Sequence, residues 1–220
     1  MSSFDFEHMR RAMVASQLRT TGVADARVLA AVGAVARERF VPDERAAMAY
    51  ADAMVPLGGG RDLNPSMATA RLLSEAGLRG EERAMVIGAA SGYSAALLDR
   101  LAGSVVAVEE DERLRAMARE ALAGTSVEII DAPLAEGHAA GAPYDFILID
   151  GAVEFVPDAL VAQLADEGLL ATAILDRGVT RLALGRRAGD GFGLKTFADA
   201  AAAILPGFVR PRKFSFERAE

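Results

Sequence analysis

The chain has no cysteine and no tryptophan, and only two of its 220 residues, His8 and His138, are histidines. Without cysteine, disulfide bonds, zinc thiolates and thiol catalysis are excluded. Two histidines also do not suffice for a histidine-based metal cage, so no metal is expected. No apolar stretch reaches the ~18 residues of a membrane span, and the first residues lack the apolar centre of a secretion signal. We therefore expect a cytoplasmic protein.

What is present favours an ordinary α/β domain. Hydrophobic residues make up 52% of the chain, which is enough for a packed core. A net charge of −7 and a pI near 5.0 argue against nucleic acid as the main partner. We expect one domain over residues 1–220. Residues 1–80 would form an N-terminal helical cover with a lid loop, and residues 81–220 a cofactor-binding sheet.

The N-terminal part has helical spacing over residues 4–18 and 25–35, and Gly22 is a plausible stop between them. Further along, the glycines of residues 58–60 predict a loop that folds over a ligand. Asn64 precedes Pro65 and a helical pattern. Its side chain either caps that helix or faces a ligand, and both alternatives are open at this point.

The chain is organised around residues 84–98, AMVIGAASGYSAALL. A short apolar run, a loop of small residues from Gly88 to Gly92 and an apolar helix are typical of a nucleotide-type cofactor site. Glu109 follows the next apolar run, about twenty residues beyond Gly88, where such folds place the acid that accepts ribose hydroxyls.

The remaining pattern alternates strands and helices. Strands are predicted over residues 127–130, 144–150, 169–174 and 180–184, and helices over residues 112–123, 157–164 and 197–204. Residues 208–216 should complete the sheet. This alternation predicts a doubly wound, mostly parallel α/β sheet with late antiparallel additions. Ligands of such sheets bind beyond the carboxyl ends of the strands, where residues 88–93, Glu109, residues 131–133 and residues 150–152 should meet.

Several segments together resemble the protein-L-isoaspartate O-methyltransferase family. They are Gln17-Leu18, RVLAA at 27–31, RERFVP at 37–42, AYAD at 49–52, PLG at 56–58, IGAASGYSAALL at 87–98, VAVE at 106–109, PYD at 143–145 and the spaced Pro157, Gln163 and Gly168. The resemblance implies a class I S-adenosylmethionine-dependent methyltransferase. Its fold would be a Rossmann-like, doubly wound, mostly parallel seven-stranded sheet with N-terminal helices.

The resemblance also implies the reaction and its site. The family transfers a methyl group from S-adenosyl-L-methionine to the carboxylate of L-isoaspartyl residues in damaged proteins, which begins their repair. The cofactor-binding residues implied here are Gly88, Ala89, Ala90, Ser91, Gly92, Tyr93, Glu109, Ala132 and Asp150. The residues nearest the family's acceptor segment are Arg61, Asp62 and Asn64, which are the candidate catalytic residues.

Four positions depart from the family's pattern. Leu63 stands where the family has a serine, and Val86 where it has an acid. Ala90 replaces a glycine, and an alanine adopts a positive φ at a cost of roughly 1–2 kcal/mol. The segment 131–133, Asp-Ala-Pro, replaces a glycine-aspartate-glycine turn.

Three functions therefore stay open at this point. The first is an active isoaspartyl methyltransferase. The second is a family member that has lost repair activity and serves as a binding or regulatory protein. The third is a methyltransferase that acts on another small-molecule or protein acceptor. Asp150, which follows ILI, resembles the metal-binding acid of catechol-type methyltransferases, but no acidic pair follows the fifth strand. Its alternative is a cap on a turn near the ligand face.

Overall fold

The computed structural model describes residues 5–210, and its N-terminal part is helical as expected. Helix α1 spans Phe6–Met13 and continues as a π-helical turn, Val14–Leu18, and a 3-10 turn, Arg19–Thr21. Gly22 ends this segment with φ at 92°. Helix α2 spans Ala26–Ala34, and the Asp25 side chain caps it by accepting a 2.7 Å hydrogen bond from the Arg27 amide.

The predicted glycine loop is a β-hairpin instead. Strands β1 (Val55–Gly58) and β2 (Arg61–Leu63) pair antiparallel as a separate two-stranded sheet. Gly59 and Gly60 form the turn with φ values of 61° and 75°, a region that only glycine enters freely. The sequence prediction gave a loop and no strands here, because strands of four and three residues are too short to show a period-2 pattern. That this segment covers a ligand stays a prediction.

Helix α3 spans Ser66–Ala76 and ends at Gly77. Asn64 does not cap it: the residue at the N-cap is Pro65, and no side chain bonds there. The capping alternative is therefore wrong, because the Asn64 side chain bonds elsewhere, as described below.

The main sheet has seven strands, in the spatial order β5-β4-β3-β6-β7-β8-β9. They are β3 (Arg83–Ile87), β4 (Ser104–Val108), β5 (Glu128–Ile130), β6 (Tyr144–Val153), β7 (Leu164–Asp176), β8 (Val179–Ala188) and β9 (Gly191–Asp199). The five strands β3 to β7 are parallel to their neighbours in this order, whereas β8 and β9 add antiparallel strands at the β7 edge. The predicted doubly wound, mostly parallel seven-stranded sheet is confirmed.

Three helices lie within the main sheet's connections. Helix α4 spans Tyr93–Leu98, α5 spans Glu112–Ala121 and α6 spans Asp158–Val161. The last is a single turn rather than the predicted helix over residues 157–164. Within residues 5–210, no helix has the length and apolar character needed to cross a bilayer.

The sheet is buried on both faces. Along β3, Ala84 and Val86 belong to one hydrophobic cluster, and Met85 and Ile87 belong to the other. All four are 0% exposed. Continuous apolar strands of this kind are typical of a parallel sheet with layers on both sides.

The C-terminal part differs most from the prediction. Residues 197–199 end strand β9, and residues 200–208 form no helix. The predicted helix over residues 197–204 is wrong, although alanine favours helices, because a short helix needs a packed face to be stable. The backbone of this segment instead bonds to β6: the Ala152 amide donates to the Ala203 carbonyl at 2.6 Å, and the Leu205 amide donates to the Ala152 carbonyl at 3.0 Å.

The predicted final strand over residues 208–216 falls partly outside the described part. Residues 208–210 are not in a strand, and the other residues of that prediction lie outside the described residues. The seventh strand of the sheet is β9 instead.

Candidate active site

The loop of residues 88–92 joins β3 to helix α4 at the carboxyl end of the sheet, as the sequence predicts. The amides of Gly88 and Ala89 donate to the Val108 carbonyl at 3.0 and 3.2 Å, which ties the loop to β4. Gly88, Ala90 and Gly92 have positive φ values of 71°, 50° and 96°. The turn therefore does require the left-handed conformation at Ala90, where an alanine is strained.

The whole loop is covered by protein. All five residues from 88 to 92 are buried, and Ser91 is 0% exposed. The Ser91 hydroxyl donates to the Phe40 carbonyl at 2.6 Å. Polar groups of the loop therefore contact the chain itself.

Glu109 lies beside this loop, immediately after β4, and is 0% exposed. Its Oε1 accepts hydrogen bonds from Arg61 Nη1 at 2.8 Å and from the Asp111 amide at 3.1 Å. Its Oε2 accepts from Arg61 Nη2 and from the Ala90 amide, both at 2.8 Å. A carboxylate has about four acceptor positions, so the chain itself uses all of them.

Arg61 reaches Glu109 because strand β2 alternates. Arg61 and Leu63 point inward and are buried, whereas Asp62 between them is only half-buried. Asp62 therefore does not share a face with Arg61. Leu63 is 2% exposed and belongs to the larger hydrophobic cluster.

Asn64 links three parts of the site. Its Nδ2 donates to Asp150 Oδ1 at 2.7 Å, and its Oδ1 accepts from the Ala203 amide at 2.7 Å. Burial raises the pKa of Asp150 above its usual 3.8, and contacts with Ser94 and Asn64 and the charge of Arg37 oppose that shift only in part. Asp150 and Asn64 are thus brought together, as a buried polar pair.

Leu205 fills the space above the loop. A Cβ added at Gly88 would lie 2.8 Å from Leu205 Cδ2, and one added at Gly151 would lie 2.5 Å from Leu205 Cγ. Leu205 is 3% exposed and therefore packs directly on the backbone of both glycines. We call the Arg61–Glu109 pair and the Leu205–Gly88 contact the closing contacts.

Sequence reasoning missed two residues of this region, Arg37 and Leu205. Arg37 is 0% exposed, donates to the carbonyls of Ala49 and Asn64 at 2.7 and 2.5 Å, and lies 4.5 Å from the centre of the Tyr93 ring. Its place in RERFVP could have revealed it. Leu205 has no such motif around it.

The other predicted residues lie less centrally. Ala132 is half-buried after β5 and packs on the hydrophobic cluster that includes Leu205. Tyr93 begins α4, is 1% exposed and has its pKa raised by burial. In the part of the chain that the structure describes, no group of three or more His, Asp or Glu side chains could hold a metal ion.

A mostly parallel sheet, a glycine loop after its central strand and an acid after the neighbouring strand are typical of Rossmann-like folds, to which the class I methyltransferases belong. The chain belongs to the protein-L-isoaspartate(D-aspartate) O-methyltransferase family, whose sequence model matches residues 9–198. This finding confirms the resemblance inferred from the sequence.

Named relatives agree over most of the chain. A protein-L-isoaspartate O-methyltransferase of Methylorubrum populi is 38% identical over 192 residues, which cover 86% of this chain and 90% of that protein. One of Methanoregula boonei is 36% identical over 184 residues, covering 82% and 85%.

Solved structures show the same fold. A protein-L-isoaspartate O-methyltransferase superposes with a TM-score of 0.78 at 20% identity, covering 90% of this chain and 66% of that one. A putative enzyme of this name from Plasmodium falciparum, solved with S-adenosyl-L-homocysteine, gives 0.73 at 18% identity, covering 89% and 97%. The fold class predicted from the sequence is confirmed.

In this structure the chain's own groups take the contacts that an S-adenosyl group would need at Glu109 and Gly88. Glu109 has no acceptor position left for ribose hydroxyls, and Leu205 packs on Gly88 where a ligand would approach the loop. In addition, Val86 is 0% exposed within the hydrophobic core and offers no acceptor.

Proposed function

We propose that the chain is an S-adenosyl-L-methionine-dependent methyltransferase that methylates the carboxylate of L-isoaspartyl residues in damaged proteins. The observation that supports this most strongly is the family match over residues 9–198, together with relatives of that name at 36–38% identity. Protein repair and a cytoplasmic location are part of the same proposal.

The chemistry suits a chain with no cysteine and two histidines. When bound, the cofactor supplies an electrophilic methyl group. The acceptor carboxylate is already ionised and nucleophilic at neutral pH, so the protein mainly has to position it. A strong general base is therefore not needed.

We assign the acceptor side to Arg61 and Asn64. Asp62, the third residue of the sequence prediction, is half-buried and lies on the other face of β2. Arg61 can hold a carboxylate with two parallel hydrogen bonds, and Asn64 can donate from Nδ2. In the structure Arg61 bonds Glu109 and Asn64 bonds Asp150, so both become available to an acceptor only after these bonds break.

We assign the cofactor side to the residues that surround the loop at the carboxyl end of the sheet. These are Gly88, Ala89, Ala90, Ser91, Gly92, Tyr93, Glu109, Ala132 and Asp150. Their position around the loop of residues 88–92 supports this assignment. Apart from Ala132, all of them are buried.

A second candidate function has specific support. The chain would be a family member without methyl transfer, one that binds or regulates another molecule. It is favoured by the occupied Glu109, by Leu63 at the position of the family's serine and by Val86 at the position of a family acid. Fold does not imply function, so only an activity measurement separates the two candidates.

The test measures transfer of a labelled methyl group from S-adenosylmethionine to a peptide containing L-isoaspartate. The matched control is the same peptide with ordinary aspartate. The proposal predicts label on the isoaspartyl peptide alone, as a methyl ester that base hydrolyses. A chain that binds cofactor but labels neither peptide has another acceptor, and a chain that binds none supports the second candidate.

A further inference from the structure

We infer that the chain keeps its own cofactor site closed, and that S-adenosylmethionine binds only after Arg61 leaves Glu109 and Leu205 leaves Gly88. This inference rests on the proposed function, and it adds a conformational requirement to it. The two closing contacts come from parts of the chain far apart in sequence: the hairpin β1–β2 and the segment after β9.

The first closing contact uses the same atoms as a ligand would. A ribose diol donates two hydrogen bonds to one carboxylate, and the Arg61 guanidinium already donates two at 2.8 Å each. The remaining acceptor positions are taken by the amides of Ala90 and Asp111. Ribose and Arg61 therefore compete for the same two oxygens, and they cannot bind there together.

The second closing contact, Leu205 on Gly88, uses the same space as a ligand would. Glycine at positions 88 and 151 gives backbone that a ligand can approach closely. Leu205 fills this space. The nearest atoms of its side chain lie 2.5 to 3.1 Å from the positions that a Cβ would have at Gly88 and Gly151. Its backbone is fixed by the 3.0 Å bond from the Leu205 amide to the Ala152 carbonyl.

Asn64 connects the two closing contacts. It follows Arg61 by three residues and accepts a hydrogen bond from the Ala203 amide, two residues before Leu205. Movement of the hairpin end therefore disturbs the segment that carries Leu205. Because of this link, we expect the two contacts to open together, and either substitution alone to weaken the closed state.

A closed ground state lowers the measured affinity, because only the open fraction binds. The test is calorimetric titration of S-adenosylhomocysteine into four proteins: wild type, Arg61→Ala, Leu205→Ala and the double variant. Two controls are matched to the variants. Arg27→Ala removes an arginine that bonds the carbonyls of Leu78 and Leu101, and Leu164→Ala truncates a buried leucine at the opposite end of the sheet.

The inference predicts that Arg61→Ala or Leu205→Ala tightens binding at least about tenfold, that the double variant tightens it further, and that both controls bind as wild type does. Thermal unfolding establishes that each protein is folded, and Leu205→Val replaces Leu205→Ala if the latter is not. Wild type that binds as tightly as the variants overturns the closure and leaves the proposed function intact. If the folded variants bind no S-adenosylhomocysteine, the closing contacts are not what prevents binding. That result overturns both the closure and the proposed function.

Discussion

The Arg61 guanidinium and the Glu109 carboxylate form a buried, two-bonded ion pair between the hairpin and the central sheet. Both hydrogen bonds measure 2.8 Å, and the side chains are 7% and 0% exposed. The pair joins residues 48 positions apart in sequence, and it occupies the acid that the family resemblance assigns to the cofactor. Under the proposed function, stability and ligand binding therefore depend on the same contact.

Arg61→Ala should lower the free energy of unfolding by roughly 3–5 kcal/mol, because the substitution leaves a buried carboxylate without its cation. Urea unfolding followed by circular dichroism measures this. Arg61→Lys is the control: an ammonium keeps the charge but not the two parallel bonds, so it should lose less stability. A loss below about 1 kcal/mol for Arg61→Ala, typical of exposed pairs, would contradict the buried geometry.

Asn64→Ala should lower the free energy of unfolding by roughly 1–3 kcal/mol, because the Asp150 carboxyl and the Ala203 amide each lose a buried partner. The measurement is urea unfolding, combined with hydrogen exchange at Ala203. The exchange of that amide should accelerate more than that of Ala171, which lies in the middle of β7. Equal stability and unchanged exchange would show that Asn64 does not hold the 200–208 segment.

Asp150→Asn should change how stability depends on pH. Burial raises the pKa of Asp150 in the folded protein above its usual 3.8. Between these two pKa values the folded state keeps a proton that the unfolded state releases. The contribution of Asp150 to folding stability is therefore full below pH 3.8, the ordinary pKa, and is lost as the pH rises through the folded pKa. Asparagine does not titrate.

The stability of Asp150→Asn relative to wild type should therefore increase from pH 4 to pH 7, because wild type loses this contribution and the variant does not. Chemical unfolding at several pH values in this range measures the difference. A difference that stays constant with pH would contradict the assignment of a raised pKa to Asp150.

Val86→Glu should destabilise the protein and should not create a cofactor contact. Val86 is 0% exposed within the hydrophobic core, and a buried carboxylate without a partner is strongly unfavourable. Val86→Thr, similar in shape, should lose less stability. Calorimetry that finds tighter S-adenosylhomocysteine binding by a folded Val86→Glu protein would show that this side chain faces the ligand after all.

The central strands and the glycine loop could be predicted because their determinants are local. The apolar run before Glu109, SVVAV, gives strand β4 (Ser104–Val108), and the small residues after Ile87 give the turn into α4. Asp25 predicts the start of α2 in the same way. In each case the residues that decide the structure lie within a few positions of it.

The closing contacts could not be predicted because their determinants are not local. Nothing next to Arg61 indicates that it pairs with a residue 48 positions away, and the alanine-rich residues 200–203 favour a helix unless β6 and Asn64 bond their backbone. The hairpin was missed because its strands are short. Long-range pairing overrides local propensity at these places.

Hydrogen exchange with and without S-adenosylhomocysteine tests the closed site most directly. Without ligand, the amides of Ala152, Ala203 and Leu205 should be protected, since each donates to a buried acceptor. Saturating ligand should speed exchange at Ala203 and Leu205, because both must leave their positions, while residues 84–87 stay protected. Ligand that binds and leaves Ala203 and Leu205 equally protected would show that the site is not closed, because the cofactor would then enter without displacing the chain's own residues.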